Sequence, residues 1–308
     1  MTGHVAICIV GFRNSADVLR CLSALEASSW ADFEVVVCEN GGETAFAELC
    51  SLVPSQLEGG QAVKIVSAGG NLGFAGGVNR CLAESRAADA WWILNPDTEP
   101  EANALAMMMH RLDQGDCDAV GCTLFGPTGR VQSFGGRWQP WLARAVSLGL
   151  GAPADQAPDP GRIEAVQTYL NGASMLIGGR FLQTIGPMRE DYFLYCEEVE
   201  WCLRARSGGL RLGFAPEARV LHRQGSATGA VADWRARPRL PVFLDERNRM
   251  LLTRDRFPGL LPVAATAALA RILLGGLRRR AWRQIGYGVD GWWTGLMGRR
   301  GPPPAVAA

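Results

Sequence analysis

The stretch Ala90-Trp91-Trp92-Ile93-Leu94-Asn95-Pro96-Asp97 decides the fold. Five apolar residues in a row suit a short strand buried on both faces of a parallel sheet. The run ends abruptly in a polar turn that carries a carboxylate. Working upstream, His4 to Val10 is a similar run that stops at Gly11. Phe33 to Cys38 is another, ending in Glu39-Asn40-Gly41-Gly42, and Val63 to Ser67 a third. Between them lie helical segments. One carries Val18, Leu19, Leu22 and Leu25, with Asn14 or Ser15 placed to cap it. Another opens at Asn71-Leu72-Gly73 and runs through Cys81 and Leu82. Strand alternating with helix is the signature of a doubly wound α/β sheet. Ligands of such sheets gather beyond the carboxyl ends of the strands. All the polar turns named here lie at those ends, so they are expected to form one site.

Downstream the rhythm changes. Gly121 to Phe134 reads as strand and hairpin, and Gly149 to Arg162 as a Pro/Gly/Ala-rich loop. Tyr169 to Ile177 reads as a strand, Glu197 to Arg206 as a helix, and Leu212 to Ala215 and Ala218 to His222 as two short strands. A polar, Arg-rich connection begins near Gly225. Pro258 to Leu277 is largely apolar but holds Arg271, and Arg278 to Arg280 and Arg283 follow with Trp282, Trp292 and Trp293 nearby. A membrane span needs about 20 mainly apolar residues. The internal arginine and the Arg/Trp flank fit a helix lying in a membrane surface better. A helical appendage packed on the protein, or in a homodimer, fits as well.

Composition narrows the function classes. The 308 residues carry a net charge of +1, so no general pull toward nucleic acid is expected. Lys64 is the only lysine, which leaves Schiff-base and Walker-type lysine chemistry almost without a candidate. Nine cysteines, odd in number and without a CxxC, read as reduced buried thiols of a cytoplasmic protein. The N-terminus reads as a first strand rather than a secretory signal.

Four groups of residues carry candidate chemistry. Asp97 can hold a divalent cation against a diphosphate, although Asn-Pro-Asp is also ordinary turn chemistry. Glu39 can accept from a base or ribose, or can simply be a turn acid. The glycine-dense turn from Asn71 to Asn79 permits close backbone approach to a nucleotide at a helix start, or merely close helix packing. Glu197, Glu198 and Glu200 fall in the first turn of a helix, where the dipole favours ionised acids and where a base acting on a sugar hydroxyl would be placed. First-turn acids also serve stability alone. His222, ending a strand, can bind a metal or phosphate or be structural.

In order, these segments resemble the family 2 glycosyltransferases, particularly their rhamnosyltransferase-like branch. IVGFRN (9–14) resembles the first nucleotide-binding strand and turn of that family. CENGG (38–42) stands for its DNGS element, NLGFAGGVN (71–79) for its glycine turn, and LNPDT (94–98) for its variant of the DxD motif. NGASMLI (171–177), FLYCEEVEWCLRAR (193–206) and VLHRQGSA (220–227) resemble its acceptor-side elements, and ERNRMLLTRDRFP (246–258) the start of its helical tail. The resemblance covers about residues 5–258. It implies a GT-A fold, with a transferase domain over 1–235 (nucleotide-binding half 1–119, acceptor half 120–235) and a helical tail over 236–308.

The resemblance also implies an NDP-sugar donor, a TDP- or UDP-sugar, with rhamnose as the suggested sugar. It implies Mg or Mn, inversion at the anomeric carbon, and a glycan or lipid-linked acceptor. Location would be cytoplasmic, at most peripheral at the inner face of the membrane. Carried over by position, Val10, Phe12, Arg13, Glu39, Asn71, Gly73, Asn95 and Asp97 would contact the donor. Asp97 and His222 would hold the metal, and Glu198 would be the catalytic base beside Glu197. Gly172, Ala173 and Trp201 would line the acceptor side. Two positions depart from the family pattern, which usually has Asp where this chain has Glu39 and Glu198. Those departures keep a non-catalytic nucleotide-sugar-binding homologue in view. A nucleotidyltransferase lacks its basic triphosphate loop here, and a dehydrogenase lacks its GxGxxG.

Overall fold

The computed structural model describes residues 3–156, 158–223 and 234–303. The Arg-rich connection and the end of the VLHRQGSA element lie outside the described residues at 224–233. The elements run β1 (Val5–Gly11), α1 (Ser15–Glu26), β2 (Phe33–Glu39), α2 (Glu43–Leu52), β3 (Val63–Ser67), α3 (Gly73–Glu84), β4 (Ala90–Leu94), β5 (Thr98–Pro100) and α4 (Ala104–Leu112). They continue with β6 (Ala119–Phe125), β7 (Val131–Ser133), β8 (Gly136–Gln139), β9 (Arg144–Ser147), α5 (Pro160–Val166), β10 (Ser174–Gly178), α6 (Gly179–Ile185), α7 (Glu197–Ser207) and β11 (Leu212–His222). Three helices close the chain: α8 (Arg239–Arg256), α9 (Leu261–Arg278) and α10 (Trp282–Leu296).

One mixed sheet has the order β3-β2-β1-β4-β10-β6-β11-β5, with β7 added on β6. The first four strands are parallel, as the alternation of strand and helix demands. β10 runs antiparallel to both β4 and β6, and β11 is parallel to β6. This topology decides the site. The carboxyl ends of β1, β2, β4 and β11 share one edge with the amino end of β10, so segments far apart in the chain meet there.

β1 shows why the central strands are unbroken apolar runs. Ala6 and Cys8 face one core layer with α3, α7, α8 and α9, while Val5, Ile7 and Ile9 face a second with α1 and α4. Met250, Leu251 and Leu252 of α8 and Ala264, Ala265 and Ala268 of α9 belong to the first layer, so these helices share a core with the sheet. The nine cysteines are free thiols, eight of them buried.

Four sequence expectations change. The run from Tyr169 becomes a strand only at Ser174. Residues 169–173 turn across the sheet edge instead. The two short strands after Leu212 are one strand with an irregularity between Ala215 and Arg219, which absorbs Pro216. The end of the expected loop is helical: Asp159 caps α5 by accepting from the Gly161 N–H at 2.9 Å. Asn14 sits at the cap position of α1 but bonds no helix N–H. Its Oδ1 accepts from the Phe12 N–H at 2.9 Å and so fixes the preceding turn.

Candidate active site

The turn after β4 fixes Asp97 from both sides. The Asn95 N–H donates to the Ala173 carbonyl at 2.9 Å, and the Thr98 hydroxyl donates to the Asn95 carbonyl at 2.6 Å. Asp97 Oδ1 lies 3.3 Å from Nε2 of His222, the last residue of β11, with both side chains about nine-tenths buried. These two candidate metal residues, 125 positions apart, therefore meet.

Gln132 of β7 orients the histidine. Its Nε2 donates to the His222 carbonyl at 2.8 Å, which turns its Oε1 toward His222 Nδ1 at 2.9 Å. Nδ1 then carries the hydrogen, and Nε2 is the ring nitrogen left facing the Asp97 carboxylate. Two acceptors so placed suit a shared cation. Ligands at about 2.1 Å and a right angle around a divalent ion stand about 3 Å apart. Among the described residues no group of three or more His, Cys, Asp or Glu could hold a metal. The described residues thus offer two donors, which fits an ion that takes its other ligands from phosphates and water.

The donor-side turns are tied together by side chains of the β2 edge. Glu39 is 1% exposed, and its Oε1 accepts the N–H groups of Arg13 at 3.0 Å and Gly41 at 2.7 Å. Through Oε1 it fixes the β1–α1 turn. Asn40, which the sequence reading passed over, bridges to the glycine turn. Its Nδ2 donates to the Gly73 carbonyl at 2.7 Å, and its Oδ1 accepts from the Leu72 N–H at 3.2 Å. Gly73 has φ +74°, and a Cβ there would lie 2.1 Å from the Phe193 carbonyl oxygen, so only glycine fits. Val10 lies close to Gly77, where a Cβ would meet it at 2.5 Å. Asn71 Oδ1 accepts from the Gly73 N–H. Phe12 lies under the guanidinium of Arg13, whose Nε donates to the Gly41 carbonyl.

The acidic helix start sits beside the same edge. A Cβ on Gly172 would touch Glu198 Cγ at 3.4 Å and Phe74 Cε1 at 3.5 Å. Gly172 adjoins Ala173, which receives the Asn95 N–H. Residues 171–173 therefore contact the turn of Asp97 on one side and Glu198 on the other. Glu197 is buried, with Oε2 lacking a hydrogen-bond partner, whereas Glu198 is half-buried beside Gly172. Burial, then the charge of Glu198, pushes Glu197 well above the usual carboxylate range. Burial also raises Glu198, opposed by backbone N–H groups at the start of α7, with Asp245 adding to the rise.

Two acceptor-side expectations are corrected. Trp201 is fully buried, its Nε1 donates to the Gly186 carbonyl at 2.9 Å, and its ring meets Phe181 edge-on, so it is a core residue. Ala173 is buried too, and it contributes through its backbone carbonyl.

Residues 3–238 match the family model described as glycosyltransferase like family 2. The chain belongs to the family 2 glycosyltransferases. The Haloferax volcanii protein named low-salt glycan biosynthesis hexosyltransferase Agl10 is 22% identical over 98% of this chain and 94% of its own length. The N-acetylglucosaminyl-diphospho-decaprenol L-rhamnosyltransferase of Mycobacterium tuberculosis is 23% identical over 74% of this chain and 79% of its own length. Among solved structures, the mannosyltransferase PcManGT of Pyrobaculum calidifontis, in complex with GDP-Man and Mn2+, is similar over 97% of this glycosyltransferase and 88% of that chain. Its TM-score is 0.55 at 14% identity. That likeness shows the GT-A fold.

Proposed function

We propose that this glycosyltransferase moves a hexosyl unit, rhamnose being the first expectation, from a UDP- or TDP-sugar to a hydroxyl of a lipid-linked glycan, with inversion. Residues 1–235 form the transferase domain and 236–308 a helical tail resting on it. The observation that carries the reading is the meeting of Asp97 with His222 at one end of residues 171–173 and of Glu198 at the other. Asp97 and His222 Nε2 would hold Mg or Mn, with Asn95 beside them. The chemistry such an ion supplies is charge neutralisation of the donor diphosphate as a leaving group. Val10, Phe12, Arg13, Asn71 and Gly73 line the nucleotide side. Glu198 takes the proton of the acceptor hydroxyl while that oxygen bonds to C1 and the bond from C1 to the diphosphate breaks. Glu197, held neutral by burial, leaves Glu198 as the ionised partner.

The tail supports a membrane-surface acceptor. Pro258–Arg278 is long and apolar enough to cross a membrane by length and composition. Its inner face, Ala264, Ala268, Ile272 and Gly276, is buried in the protein. Its outer face exposes Val263, Leu273, Leu274 and Leu277 at helical spacing, followed by exposed Arg278, Arg279, Arg280, Trp282 and Arg283. An apolar stripe ending in arginines suits the surface of an anionic bilayer. A cavity of about 330 Å³, lined by Tyr195, Val242, Asp245, Arg249 and α9's Arg271, opens beside the same helix. A screen of nucleoside diphosphate release from UDP-, TDP- and GDP-sugars, with and without Mn, tests the reading. Metal-dependent release from one nucleotide class supports it, and no donor binding with any of them overturns it.

A further inference from the structure

The segment that delivers Glu197 and Glu198 is strained. Phe193, Tyr195 and Cys196 have φ of 68°, 74° and 68°, three non-glycine residues within four positions in the left-handed half of the map. Phe193 forms a tight turn in which the Leu194 N–H reaches the Tyr192 carbonyl at 2.9 Å. Such residues persist only where their surroundings hold them. The holding groups come from elsewhere in the chain. Asn248 of α8 is fully buried, and its Nδ2 lies 2.9 Å from the Tyr192 carbonyl, 2.7 Å from that of Leu194 and 2.8 Å from that of Tyr195. Its Oδ1 is fixed by Arg247 Nε at 2.9 Å, and Arg247 Nη2 also donates to the Tyr192 carbonyl at 2.8 Å. The remaining carbonyl, that of Phe193, accepts the Phe74 N–H at 2.8 Å from the glycine turn.

Every carbonyl from Tyr192 to Tyr195 is therefore gripped, three by one asparagine on α8 and one by the first turn of α3. We propose that Asn248, oriented by Arg247, is a positioning residue for the general base, fixing the strained 192–196 segment so that Glu198 stands against Gly172. The proposal rests on Glu198 acting as that base. Asn248 touches neither donor nor acceptor. Its removal frees the segment to relax away from the left-handed conformation and carries Glu198 out of reach, while the Asp97–His222 pair stays in place. A displacement of about 1 Å at a reacting group is worth on the order of 100-fold in rate.

The test is Asn248→Ala in the full chain, assayed beside Glu198→Gln. We expect kcat to fall about 100-fold, with the donor KM and Mn-dependent donor binding within about twofold of the parent. Asn248→Ser, which can keep one hydrogen bond, should recover part of the rate. If Asn248→Ala does not fold, Asn248→Ser and Arg247→Lys carry the same test at smaller amplitude. Unchanged kcat in folded variants, or kcat and donor binding lost in proportion to the folded fraction, overturns the positioning role. The parallel variant separates the two ideas. If Glu198→Gln is inactive while Asn248→Ala works at the parental rate, only the clamp is wrong. If Glu198→Gln transfers normally, the base assignment itself is wrong.

Discussion

Replacing Glu197 by Gln should stabilise this protein at alkaline pH and not at acid pH. Glu197 is 2% exposed, leaves one oxygen without a partner and lies beside a second carboxylate. Burial first, and the Glu198 charge second, raise its pKa from 4.5 to about 8. A carboxyl whose folded pKa is raised favours the folded state fully below the unfolded value. That advantage disappears as pH climbs through the folded value. At about 1.36 kcal/mol per pH unit, the rise bounds the effect at about 5 kcal/mol. Because part of it belongs to Glu198, about 2–3 kcal/mol should be recovered by Glu197→Gln alone. At about 2 °C per kcal/mol for a chain of this size, Tm should rise by about 4–6 °C at pH 8.5 relative to the parent, with no gain at pH 4.5. Differential scanning fluorimetry of both proteins at both pH values reads this directly. The difference between the two pH values cancels whatever the new amide costs by itself. An equal Tm difference at both pH values would refute the buried, proton-sharing pair.

The transfer rate should rise with pH through neutrality, since Glu198 is pushed up to about 7 and acts only when ionised; a rate flat from pH 5.5 to 8.5 would contradict this, as read from initial rates at saturating donor. Gln132→Leu should weaken Mn binding about 10-fold by releasing the His222 ring, measured by Mn titration without acceptor; unchanged affinity would remove Gln132 from the metal site. Leu274→Glu with Leu277→Glu should abolish co-sedimentation with anionic vesicles while leaving transfer to a soluble acceptor analogue intact. Loss of a dimer in sedimentation, with vesicle binding unchanged, would instead assign that stripe to a second copy of the chain.

How far these features were legible in the sequence depends on whether a residue acts locally or across the fold. β1 to β4 were legible because strands buried on both faces are unbroken apolar runs, and the turns after them are polar. The meeting of Asp97 with His222 was expected from the family resemblance, not from either residue alone. Trp201 was misread because sequence position does not say which way a side chain points. It bonds inward to Gly186. Asn40 and Asn248 were invisible for the opposite reason. Asn40 sits among glycines and looks like ordinary turn chemistry. Asn248 sits in the charged run Asp245-Glu246-Arg247-Asn248-Arg249, which reads as a solvated face, yet Glu246, Arg247 and Asn248 are all buried. Their partners are carbonyls some 30 to 55 residues away, and no local pattern records those.

The central claim is that one cleft separates donor binding from proton removal, with Asp97 on the first task and Glu198 on the second. The direct measurement is Mn-dependent nucleotide-sugar binding and single-turnover transfer in Glu198→Gln and Asp97→Asn side by side. Glu198→Gln is expected to bind donor normally and to transfer at least about 1000-fold more slowly, whereas Asp97→Asn should lose Mn-dependent binding. Parental transfer by Glu198→Gln, or unchanged Mn-dependent binding by Asp97→Asn, would contradict it.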